Sequence, residues 1–210
     1  MQLYDYSRST AAFRVRIALN LKEIPYDSVP VSLIDGEQNQ EGYRNINAAG
    51  LVPALEDGGQ TLTQSLAILE YLDEIHPHHP LLPKNPLAKA RCRALAMDVA
   101  CDMHPLNNLR VLKHLTGELG HSEDEKLAWY HHWLKQGFGG LEAKLGGIKT
   151  PYCSGDTPMM ADVCLIPQLF NARRFNFALD AYPTLVHIEQ NCMALPAFAN
   201  AHPDAPLAVN

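Results

Sequence analysis

The stretch Arg8-Ser9-Thr10-Ala11-Ala12-Phe13-Arg14-Val15-Arg16 puts two hydroxyls and a basic side chain between a short strand candidate, residues 3–6, and an apolar-periodic helix. The first turn of a helix leaves its backbone N–H groups without intrahelical partners, and the helix dipole makes that end attractive to an anion. A hydroxyl placed there has two uses. As an N-cap, Ser9 or Thr10 accepts from an orphan N–H and does nothing more. As a donor, it hydrogen-bonds a thiolate held at the helix start, which lowers a thiol pKa from about 8.5 toward neutrality and enlarges the nucleophilic fraction. Residue types alone leave both uses open.

Further along the chain, Leu51-Val52-Pro53-Ala54-Leu55 sets a proline just ahead of a short strand. With a cis bond at Pro53, Val52 would present its N–H and C=O outward to a peptide-like ligand. Leu62-Thr63-Gln64-Ser65-Leu66 then opens a helix. Ser65 is a good N-cap there, and the free N–H groups around it suit a carboxylate. The Gln64 side chain can accept from a ligand ammonium. Each feature also has a plain structural reading, as a turn proline and a helix cap.

These segments need a scaffold, and the pattern supplies one. Val15, Ala18, Leu19 and Lys22 fall at three- and four-residue spacings, and Phe13 and Ile17 widen the apolar stripe. Residues 27–33 alternate as a strand, and Pro30 places it at a sheet edge. Asp57-Gly58-Gly59 marks a hairpin, and a helix follows over residues 65–75. The order is βαβ, a connection, then ββα. His76-Pro77-His78-His79-Pro80-Leu81-Leu82-Pro83 ends it as a linker, because three closely spaced prolines cannot continue a helix. Its histidines have neither helical spacing nor carboxylate partners, so they read as a solvated loop rather than a metal site. Beyond it the chain reads as helical: Leu127, Tyr130, Leu134, Phe138, Leu141 and Leu145 form one stripe. A second helix begins near Met160 and is bent by Pro167.

Bulk properties narrow the function classes. A formal charge of −6 over 210 residues argues against a nucleic-acid partner. No apolar run is long enough for a membrane span, and the N-terminus lacks signal-peptide character, so a cytoplasmic location is expected. Five cysteines without CxxC spacing read as reduced packing thiols.

Taken together, these segments resemble the glutathione transferase superfamily over nearly the whole chain. The zeta class is the best match, since its signature Ser-Ser-Cys-x-x-Arg-Val-Arg-Ile-Ala-Leu is followed by Ser9, by Thr10 conservatively, and by Arg14 through Leu19 in full. Gln64 through Leu72 is similar to the family's γ-glutamyl-binding segment, and Val52-Pro53 to its cis-proline. Asp102-Met103-His104-Pro105-Leu106-Asn107-Asn108 and Asn171-Ala172-Arg173-Arg174-Phe175 look like zeta-class isomerases. The resemblance implies an α/β thioredoxin-like N-terminal domain (1–81), a linker (82–88) and an all-α helical substrate-binding domain (89–210), usually paired as a homodimer. It implies glutathione as cofactor and cis–trans isomerisation of maleylacetoacetate, by reversible addition of the glutathione thiolate to the C=C bond. Ser9 or Thr10, with Arg8 beside them, would serve catalysis. Val52, Gln64, Ser65, Asp102, His104 and Asn108 would bind glutathione, and in a dimer Asp102 and Asn108 could complete the partner's site. Arg8, Arg110 and Arg174 would bind substrate carboxylates or an enolate, since guanidinium groups make bidentate pairs.

This chain also departs from the pattern. Ala11 replaces the motif cysteine, so chemistry needing a protein thiol there is excluded, while chemistry through the cofactor's own sulfur survives. Leu51 stands where many relatives carry a polar residue, and Met159 where a Ser or Thr usually caps the helix with Asp162. Three other readings share the scaffold: maleylpyruvate isomerisation, a broad transferase or dehalogenase of α-halo acids, and a non-catalytic glutathione-fold module. The last should lack the thiolate hydroxyl or the Gln-Ser pair, and this chain keeps both.

Overall fold

The structure, a computed structural model, describes residues 1–205 in two compact units. The first contains residues 1–81 together with the segment from Met193, and the second Leu82–Cys192. Residues 193–205, expected with the helical domain, pack with the first unit.

In that first unit β1 (Gln2–Asp5) leads to α1 (Thr10–Leu21) and β2 (Asp27–Pro30). A short α2 (Glu41–Arg44) lies in the connection, followed by β3 (Ala54–Asp57), β4 (Gln60–Thr63) and α3 (Ser65–Ile75). The four-stranded sheet has the order β2-β1-β3-β4, with β1 and β2 parallel and the remaining pairs antiparallel. This is a thioredoxin-like arrangement. Gly58 and Gly59 have φ of +55° and +77°, the mirror-image turn that a two-residue hairpin between twisted strands requires. β2 is an edge strand, as its proline demands, and it ends at Pro30 rather than at residue 33. The reason is local: the Ser32 N–H donates to Glu37 Oε2 at 2.6 Å, turning the chain away from the ladder.

α1 is buried along almost its whole length, with Phe13, Val15, Ile17 and Leu19 fully inside. The C-terminal segment supplies part of its cover. Phe198 of α9 (Pro196–Ala199) is fully buried, Asn20 Nδ2 donates to the Ala197 carbonyl at 3.0 Å, and the His202 ring meets Phe13 edge-on. Lys22, at the end of the α1 stripe, is buried as well. Its Nζ donates to Asp73 Oδ1 at 2.8 Å and to the carbonyls of His76, His78 and His79, so it ties down the start of the proline-rich linker.

The second unit contains α4 (Pro86–Met97), α5 (Leu109–Gly117), α6 (Glu123–Leu145), α7 (Met160–Arg174) and α8 (Pro183–Met193). α4 runs into a π-helical segment, Asp98–Met103, a local widening often found near functional positions. That segment packs closely on α6. A Cβ on Gly137 would stand 2.0 Å from Met103 Sδ, so any other residue there would force the Met103 side chain to move. Ser122 and Glu125 form a reciprocal capping box at the start of α6. At α7, the fully buried Asp162 accepts from the N–H groups of Met159 and Cys153 at 2.8 and 2.9 Å. Met159 offers only a thioether in return, a weak acceptor.

Cys92, Cys153, Cys164 and Cys192 are buried, and Cys101 is exposed. Burial pushes the thiols of Cys92, Cys153 and Cys192 up, keeping them protonated and slow to react. Titration of the native protein with an aromatic disulfide reagent at pH 8 should release one prompt equivalent, from Cys101, and five after denaturation. Rapid release of more than one equivalent would show that the second unit opens.

Candidate functional site

Sheet register decides which loops meet. Tyr4 of β1 pairs with Ala54 of β3, and Ala54 pairs with Thr63 of β4. Neighbouring strands lie about 4.8 Å apart, so these residues sit abreast within about 10 Å. The chain leaving β1 toward Ser9, the chain entering β3 through Val52-Pro53, and the chain leaving β4 at Gln64-Ser65 therefore share one end of the sheet. The Val52–Pro53 bond is cis, as the family resemblance implies.

Ser9 is the N-cap of α1, and its Oγ accepts from the Ala12 N–H at 3.2 Å. A hydroxyl has one proton and two lone pairs. Capping uses a lone pair, so the same oxygen can still donate outward, and the two uses left open by the sequence are compatible. Ser9 is half-buried, whereas Thr10, the first helical residue, is 3% exposed. Arg8 is exposed. The Ser9 turn is braced from behind: Arg16 donates to the Ser7 carbonyl at 2.8 Å, to both Asp5 carboxylate oxygens at 2.7 Å, and to the Ala201 carbonyl at 3.0 Å. Burial pushes the Asp5 carboxyl up, and Arg16 opposes it.

Val52 has no backbone hydrogen-bond partner among the described residues. The preceding residue is anchored, because Tyr43 Oη and Asn47 Nδ2 both donate to the Leu51 carbonyl at 2.7 Å. An edge with free N–H and C=O groups is thus held in place for an extended ligand.

At the third segment the structure corrects the sequence reading. Gln64, not Ser65, is the N-cap of α3, at φ +70°, and it makes no side-chain cap bond. Ser65 is the first helical residue, 7% exposed, and its Oγ accepts from Arg14 Nη1 at 3.2 Å. The sequence signal for this contact was faint: an arginine among the buried apolar residues of α1.

The remaining candidates lie in the second unit. Asp102 is exposed on the π-helical segment, beside a groove of about 240 Å³ whose walls include Asp98, Trp133 and Lys144. Asn108 caps α5 by accepting from the Arg110 N–H at 3.1 Å, and its Nδ2 donates to His104 Nε2 at 3.3 Å. That contact fixes which ring nitrogen of His104 is the acceptor. The Arg110 side chain is exposed. At the end of α7, Arg173 is paired with Glu189. Arg174 is exposed, held by Asn171 Oδ1 at 2.8 Å, with its guanidinium 5.7 and 5.8 Å from the rings of Phe170 and Phe175.

Comparison with known proteins fits this geometry. Residues 3–83 match the family model for the glutathione S-transferase N-terminal domain. A solved structure of a bacterial maleyl pyruvate isomerase, a zeta-class glutathione transferase in holo form, superposes with a TM-score of 0.96 at 41% identity, over 99% of each chain. A probable maleylacetoacetate isomerase of Vibrio cholerae is 48% identical over 96% of this chain and 95% of its own length. The chain belongs to the zeta-class maleylacetoacetate isomerase family. A further family structure, the Methylobacterium extorquens maleylacetoacetate isomerase, holds malonate and glutathione. It is 43% identical with a TM-score of 0.94, over 98% of this chain and all of that one.

Proposed function

We propose that this protein is a glutathione-dependent cis–trans isomerase that converts maleylacetoacetate to fumarylacetoacetate, acting in the cytoplasm as a homodimer. The observation that carries the reading is the convergence of Ser9, the unpaired Val52 backbone and the uncapped α3 start at one end of the sheet. That donor set fits a tripeptide with a carboxylate at one end, a backbone amide in the middle and a thiol. When bound, glutathione supplies a thiolate that adds to the substrate C=C bond and leaves after rotation about it.

The chain's own residues divide the remaining work. Ser9 donates to the sulfur while it caps α1, favouring the ionised form. Thr10 and Arg8 support the same charge. Val52 pairs with the tripeptide backbone, Ser65 and the first N–H groups of α3 take its carboxylate, and the Gln64 side chain accepts from its ammonium. Asp102, His104 and Asn108 are the second unit's candidate glutathione contacts. Arg174, Arg110 and Arg8 hold substrate carboxylates, and the aromatic rings beside Arg174 keep its guanidinium oriented.

Arg174→Ala is expected to raise KM for the dicarboxylate by roughly tenfold while changing kcat far less, because the contact is made equally in ground and transition states. Steady-state assays with both maleylacetoacetate and maleylpyruvate at catalytic glutathione test the whole reading. Turnover without glutathione consumption supports it; stoichiometric consumption would assign the chain to the transferases instead.

A further inference from the structure

Arg14 lies one hydrogen bond behind the cofactor segment and is only 1% exposed. Building a guanidinium into a helix core is costly where an uncharged side chain would pack. The contact it makes has a directional consequence. With Arg14 Nη1 donating to a lone pair of Ser65 Oγ at 3.2 Å, the single hydroxyl proton must point elsewhere. The Ser65 N–H opens α3 and has no intrahelical acceptor, and Gln64 provides no side-chain cap. Ser65 therefore offers an O–H and an N–H to one anion, with a buried cation polarising the hydroxyl from the far side.

We propose that Arg14 is a positioning residue for the cofactor: it aims the Ser65 hydroxyl at the γ-glutamyl carboxylate of glutathione. The proposal rests on the glutathione-dependent reading above. It assigns a ligand-directed role to a side chain buried within α1. Arginine suits the position because it remains charged while donating, whereas glutamine would keep the donor and lose the cation.

Calorimetric titration of the full chain with two ligands tests it: reduced glutathione, and 4-aminobutyryl-cysteinyl-glycine, which lacks that carboxylate. Arg14→Gln should weaken glutathione roughly tenfold and leave the analogue unchanged. In a Ser65→Ala background the Arg14 substitution should have no further effect, because the two act as one unit. In turnover assays the loss should fall on KM for glutathione, with kcat at saturation changed by no more than about twofold. Arg14→Lys keeps the cation and a donor. It should fold if the glutamine variant does not, and should show a smaller loss, again confined to glutathione. Equal weakening of both ligands, or an undiminished loss in the Ser65→Ala background, overturns the proposal and leaves Arg14 a packing residue. A wild-type chain that binds no glutathione overturns the underlying reading as well.

Discussion

Replacing Ser9 with alanine should lower kcat at pH 7 by about 10²-fold, the usual loss when one preorganised donor to a reacting anion is removed. The effect should depend on pH in a defined direction. On the proposed reading the reactive form of the cofactor is its thiolate and the Ser9 hydroxyl stabilises that charged form, so the variant's thiol pKa should rise. The acid limb of the rate profile then moves to higher pH, and activity recovers toward wild type under alkaline conditions. Because Ser9 also caps α1 at 3.2 Å from the Ala12 N–H, the alanine variant should lose about 1 kcal/mol of stability too. Ser9→Asp separates the two roles: it restores the capping acceptor but cannot donate to sulfur, so the helix recovers and activity does not. Thr10→Ala should cost less, since Thr10 is 3% exposed and Ser9 carries the more accessible hydroxyl. Unchanged kcat in Ser9→Ala would place the sulfur elsewhere.

Lys22→Met should be the most destabilising single change in the first unit, at about 3–5 kcal/mol, with a thermal midpoint lowered on the order of 10 °C. The side chain is fully buried, and its ammonium serves Asp73 together with the carbonyls of His76, His78 and His79. Methionine fills the space but removes the donor that these part-buried acceptors share. Asp73 would become a half-buried carboxylate retaining only the Leu81 N–H at 2.8 Å. Asp73→Asn should be milder, because an amide oxygen can still accept from both groups. The double variant should recover part of the loss, since it removes the uncompensated charge. A midpoint shift under about 2 °C would mean water reaches these groups.

Much of the first unit was legible because its signals are local. Consecutive glycines at 58 and 59 specify a tight hairpin, the apolar spacing after Ser65 specifies α3, and Pro30 restricts β2 to an edge. The grouping of Ser9, Val52 and Ser65 followed from the family resemblance, and the register of β1, β3 and β4 supplies its physical cause. What was not legible depends on tertiary contacts. Gln64 takes a left-handed φ although nothing about a glutamine asks for it, so only the surrounding packing can impose it. Lys22 and Arg14 fall within buried stretches of α1, and spacing gives the face of a charged residue but not its partner. The close packing of Met103, in the π-helical turn Asp98–Met103, on Gly137 involves residues far apart in the chain. The Ser122–Glu125 capping box was readable from its spacing, but the helix had been placed by its apolar stripe alone.

The fully buried Phe198 and the Arg16–Ala201 and Asn20–Ala197 bonds have a bearing on how this protein is made. A ribosome releases the sheet and α1 early, but the piece that covers α1 is translated only after the entire helical unit. Domains usually mature in the order in which they emerge. Here the first to emerge must wait, with Phe13 incompletely covered, until the segment around Phe198 and His202 has followed the helical unit.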